Sequence, residues 1–163
     1  MLARTTAWLM LLSITGSATA DPAYHEYFMD TFTEYGQAVE RCQAIRHESA
    51  APPTEVLEKI KTKDPNNLRI FLFYQEFARQ DECASQETAA MLYALGSLSR
   101  ADDVPEETQK AVDALSENMF NGDHLTMEMR YRALPPEFRD GMEDIDYFHS
   151  PFSALRVLKE LEK

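Results

Sequence analysis

Positive charge is scarce in this sequence. Sixteen Lys and Arg stand against 28 Asp and Glu, for a formal net charge of −12. Nucleic-acid binding depends on cations that neutralise phosphates, so this balance excludes nucleic acid as the expected partner. An anionic membrane surface is disfavoured for the same reason. Cysteine is scarcer still, with Cys42 and Cys83 alone. They are too far apart for the C-x-x-C of thiol oxidoreductases or the C-x-x-C-H of haem attachment. The sequence has no G-x-S-x-G and no H-E-x-x-H; His25-Glu26 begins the latter, but Met29 stands where its second histidine belongs. There is no repeat and no low-complexity segment. No apolar run approaches the roughly 18–20 residues that span a bilayer.

The chain opens with Arg4 as the only charge before an apolar stretch, Ala7 to Ile14. Ala18-Thr19-Ala20 follows. This is the charged region, short apolar region and small-residue cleavage site of a secretory signal. Residues 1–20 are therefore expected to be removed on export, leaving 21–163 as one acidic domain. Loss of Arg4 takes the formal charge from −12 to −13. Asp21, not cysteine, would be the first mature residue, so no lipid anchor is expected there. The expected compartment is the periplasm, or release beyond it. In an oxidising space two cysteines most simply pair. A Cys42–Cys83 bridge closes a loop of about 40 residues, which the chain-entropy model values at about 4 kcal/mol.

Apolar spacing and capping residues predict an all-α fold: a compact bundle of about six or seven helices in a single domain with one disulfide. Tyr24, Phe28, Phe32 or Tyr35, Val39, Cys42 and Ile45 make one stripe over 22–47. Thr54 reads as the cap of a short helix with Val56, Leu57 and Ile60 inward. Asp64-Pro65 opens the most apolar segment, Leu68 to Ala78. Ile70–Tyr74 alone could be a strand, but the cap and the polar continuation to Gln80 predict a helix buried on most sides. Further helices are expected over 85–98, from Asp102-Asp103 to Met119, from Asp123 to Arg132, around Phe138–Ile145, and from Ser150-Pro151 to the end. The last would turn Phe152, Leu155, Leu158 and Leu161 inward.

Candidate site residues are few. Met and His are ligands an exported protein can use for copper, and His124 and Met127 are three apart on one helical face. Asp146 and His149 share the same spacing and resemble one half of a di-metal carboxylate pattern. Neither pair completes a site, and the acidic run Asp140, Glu143, Asp144, Asp146 lacks the glycine and final glutamate of a calcium loop. No cofactor is expected. Tyr24, Tyr27 and Tyr35 crowd the start of the mature chain, and tyrosine is favoured at interfaces.

The absence of a chemical motif, the small size and the acidity point to a protein that acts by binding a protein partner, and a basic partner would suit its charge. Inhibitors, immunity factors and accessory subunits are of this kind. A small-molecule, haem or metal carrier is the alternative, and an enzyme ranks below both.

Overall fold

The computed structural model describes residues 20–120 and 122–163, so all but the last residue of the expected export signal lies outside it. All regular structure among the described residues is helical. Eight α-helices follow in order: α1 (Pro22–Glu48), α2 (Thr54–Lys61), α3 (Pro65–Cys83), α4 (Ser85–Leu98), α5 (Glu106–Met119), α6 (Gly122–Arg132), α7 (Pro136–Glu143) and α8 (Ala154–Leu161). A 3-10 turn over Asp146–His149 links the last two. No described helix is long and apolar enough to cross a membrane.

Side-chain caps start three of the helices. Asp21 accepts from the Ala23 amide at 2.9 Å, with Pro22 in the first turn. Asp64 accepts from Asn66 and Asn67 at 3.1 and 2.9 Å, with Pro65 behind it. Such bonds satisfy amides that the helix itself leaves unpaired. Ser153 caps α8 through the Arg156 amide at 3.4 Å. That position corrects the sequence reading, which began this helix at Pro151. Because Phe152 enters the core ahead of the helix, the phase of α8 is set by Ala154 and Val157, both buried. Leu155 consequently points outward, 58% exposed. Two other expected starts move as well. Thr54 is the first residue of α2 and makes no capping bond. Asp102-Asp103 precedes α5 by several residues; instead, the Asp103 carbonyl accepts from the Asp21 amide at 3.0 Å and ties the start of α1 to the α4–α5 link.

The core has two principal parts. One gathers Phe28, Met91, Ala94, Leu95, Leu98 and Val112 from α1, α4 and α5. The other is larger and aromatic, built on Phe71 and Leu72 of α3, Ile60 of α2, and Phe148, Phe152 and Val157 near the end of the chain. Phe71 meets Phe148 edge-on at 5.4 Å, and Phe148 lies 5.1 Å from Phe152, arrangements that add to the area term of burial. The apolar segment expected as a helix or a strand is the helix α3. It packs against α1, α4, α6, α8 and the 3-10 turn. It is buried on one face through Leu68, Phe71, Leu72 and Gln75 rather than on most sides, and Phe73 is exposed.

Between the two cores lies a small third cluster of Ala38, Cys42 and Ala84, with Cys83 against it. Cys42 and Cys83 are bonded, 41 positions apart with Cα atoms 6.0 Å from one another. The bridge pins α1 to the end of α3. Polar contacts reinforce the same crossing: Arg46 pairs with Glu76 at 3.3 Å, and Gln80 Nε2 donates to the Val39 carbonyl at 3.4 Å. Beyond it, Arg156 of α8 donates to the carbonyls of Ser49 and His47, the latter at 2.8 Å. It thereby satisfies acceptors at and just beyond the C-terminal end of α1.

Reduction of the bridge, or the Cys42→Ser/Cys83→Ser double variant, should lower stability by about 4 kcal/mol. That corresponds to a Tm fall on the order of 10 °C for a domain of this size. Calorimetry with and without reductant checks it; equal melting would show that the bridge contributes nothing.

Candidate functional site

α6 is the least buried of the helices that meet α3, and the recesses of the surface gather around it. Tyr131 is its one buried residue. The Tyr131 ring stacks on Tyr74 of α3 with centroids 3.8 Å apart. At the other end of α6, His124 meets Phe77 edge-on at 4.2 Å.

A polar chain fixes Tyr131 from beneath. Glu82 pairs with Arg79 at 2.5 Å, and Arg79 donates to the Gln75 carboxamide oxygen at 3.2 Å. Gln75 Nε2 donates to the Tyr131 hydroxyl at 3.2 Å, and that hydroxyl donates to the Glu143 carboxylate. Gln75 is only 4% exposed. Burial, and then the bond to Glu143, hold the Tyr131 phenol well above its ordinary pKa. The Arg139 guanidinium lies over the same ring, 5.9 Å from its centroid. This chain lines a cleft of about 390 Å3 walled by Phe71, Tyr74 and Phe148. Apart from Arg79 Nε, which is buried without a partner, these groups bond one another, so the arrangement works as a latch that holds α6 and α7 to α3. Sequence reasoning missed it. The available signal was Gln75, a carboxamide in register with Leu68, Phe71 and Leu72 on the core face.

The larger recess is apolar. A groove of about 610 Å3 runs where α1, α3, α4, α5 and the start of α6 meet. Val39, Phe77, Leu92, Leu115 and Met119 line it, and Phe120 stands at its edge, 63% exposed. Gln80 Oε1, buried and without a hydrogen-bond partner, belongs to a residue of the same wall. The groove, which Arg46 also lines while paired with Glu76, shares Phe77, Asp81 and His124 with an adjoining recess of about 380 Å3, itself lined further by Glu82, Leu125 and Glu128 and by no Lys or Arg. Leu125 and Met129 of α6 are 61% and 63% exposed. An apolar trough with an acidic end is the result.

The sequence candidates are scattered by the fold. His124 lines the groove, whereas Met127 faces a recess on the opposite flank of α6. Residues three apart straddle the line along which α6 rests on α3, so the two do not converge on an ion. Asp146 and His149 do approach, at 3.8 Å, on the exposed 3-10 turn. The other ring nitrogen of His149 donates to the Glu143 carbonyl at 2.6 Å. Among the described residues, no group of three or more His, Cys, Asp or Glu is arranged to hold a metal ion. The tyrosines divide too. Tyr24 and Tyr35 are half-buried against the core of α1, α4 and α5. Tyr27 is exposed, and only Tyr35 reaches the groove. No protein-family model, curated protein or solved structure matches the chain.

The latch yields a prediction. Tyr131→Phe strands the Gln75 amide, a buried donor, and should cost about 1–3 kcal/mol in chemical denaturation. Because the folded phenol ionises above its unfolded value, its contribution is complete below about pH 10 and is lost as the pH rises further. The variant should therefore show a shallower fall in stability above that pH than the native protein. A residual fall remains from Tyr147, whose phenol is also raised by burial. Identical alkaline profiles would contradict the latch.

Proposed function

We propose that this chain is an exported, periplasmic protein that acts by binding a protein partner, in the manner of an inhibitor, immunity factor or accessory subunit. The partner inserts an apolar segment flanked by basic residues into the groove between α1, α3, α4, α5 and α6. The observation that carries this reading is the union of apolar trough and acidic end: Phe77, Leu92 and Phe120 beside Asp81, Glu82 and Glu128. Exposed large apolar side chains that cluster instead of scattering are what a binding surface looks like before it is covered. Phe120 lines the groove and Leu125 the adjoining recess, and Met129 follows Leu125 by one helical turn.

Charge supports the same choice of partner. A net charge of −12 attracts a cationic surface and accelerates encounter with it. Export is supported by the opening residues of the sequence and by the Cys42–Cys83 bridge, which suits an oxidising compartment.

The test compares two tagged proteins recovered gently from the cells that make them, the native chain and the Leu92→Asp/Phe120→Asp variant. Native mass spectrometry should show one stoichiometric, basic companion on the native protein. Loss of a central apolar anchor costs about 2 kcal/mol or more, or on the order of 30-fold in affinity, so the variant should come away bare with unchanged circular dichroism. Raising ionic strength from about 0.1 M to about 0.5 M should weaken the complex. A companion held equally by both proteins, or a bare native monomer, would overturn the proposal.

A further inference from the structure

The flank of α6 opposite the groove carries a different chemistry. Arg69 of α3 and Arg130 of α6 line one recess of about 550 Å3, over a floor of Ile70, Phe73 and Met127. Elsewhere the arginines are matched. Arg41, Arg46, Arg79, Arg132 and Arg139 each have a carboxylate within ion-pairing distance, and Arg156 is bound to backbone carbonyls. Among the described residues, Arg69 and Arg130 have no such partner; Arg100 is the other exception, alone in the turn after α4.

Two unmatched guanidiniums on one recess run against the composition, because the chain has 28 acids to pair with 16 bases. Both line one recess, so an anion held there is attracted by both. Guanidinium suits the task, since its planar fork matches a carboxylate in two parallel hydrogen bonds. Thr126 also lines the recess, but its hydroxyl proton is committed to the Gly122 carbonyl at 2.8 Å. The donors for an anion are therefore the two arginines. Asp123 also lines the recess, and its carboxylate disfavours a multiply charged head group. The apolar floor, with Phe73 exposed, favours a ligand that brings hydrocarbon as well as charge.

We propose that this recess binds a monomeric amphiphile with one carboxylate head and an alkyl chain. The carboxylate sits between Arg69 and Arg130, and the chain covers Ile70, Phe73 and Met127. This site is independent of the groove and of the partner proposed for it.

The probe is decanoate, titrated below its micelle concentration into isotope-labelled mature protein and followed by amide and arginine side-chain NMR. Saturable shifts are expected over 69–73 and 123–130. Acetate supplies the head alone and decanol the chain alone; each should bind at least tenfold more weakly. Both arginines are exposed, so Arg69→Gln/Arg130→Gln should leave circular dichroism unchanged while weakening decanoate at least tenfold. Equal affinity in that variant would reduce the site to apolar contact and overturn the proposal. Absence of saturable shifts, or shifts confined to the groove, would also overturn it. So would binding to vesicles of anionic phospholipid without binding to free decanoate, which would assign the arginines to a membrane surface.

Discussion

The Cys42–Cys83 bridge is the constraint on which the rest of this molecule depends. It sits in a cluster of small buried side chains, Ala38 and Ala84, distinct from the aromatic core built on α3 and from the core of α1, α4 and α5. Small side chains bury little area and so stabilise their crossing weakly. A covalent tie there holds α1 across α3 at a point where hydrophobic contact alone contributes least. The ion pair of Arg46 with Glu76 adds to it, but a partly exposed pair is worth about 1 kcal/mol or less. The groove opens beside the same junction: Val39 and Gln43 of α1 and Gln80 and Ala84 near the bridge all line it. The bridge and the apolar trough thus share one junction.

The position of α6 follows from how little it buries. With Tyr131 as its one buried residue, it rests on α3 through three aromatic contacts and the polar chain from Glu82 to Glu143. A helix held along one narrow line leaves recesses on both sides. One side is apolar with an acidic end, and the other carries Arg69 and Arg130. The two proposed sites therefore share a structural cause while differing in chemistry.

Much of the fold could be read from residue spacing. The stripe Tyr24, Phe28, Tyr35, Cys42 does face inward, Asp64-Pro65 does begin the central helix, and the two cysteines do pair. The errors arose where local pattern was overruled by tertiary phase. Leu155 fits an apolar repeat counted from Phe152, yet the helix starts after that residue and the repeat is counted from Ala154. Ile45 extends the first stripe in sequence but lies outward, 46% exposed, beside the face that Arg46 turns to α3. The site was less legible than the fold. Gln75 carried a signal, being polar at a core position. Arg69 with Arg130, and Phe77 with Leu92 and Phe120, come together only because α6 and α4 pack on α3 while α5 packs on α4 and α1. No spacing within one segment foretells such a meeting.

One crosslinked junction of small residues ties α1 to the end of α3 beside the groove. Hydrogen exchange read by mass spectrometry, on oxidised and reduced mature protein, measures what that tie contributes. Reduction should accelerate exchange from Ala38 to Glu48 and from Gln80 to Thr88. Protection at Met91–Leu98 and across Phe148–Val157 should survive, because each core keeps its own packing. Unchanged exchange at the junction, or a uniform loss of protection along the chain, would contradict that role for the bridge.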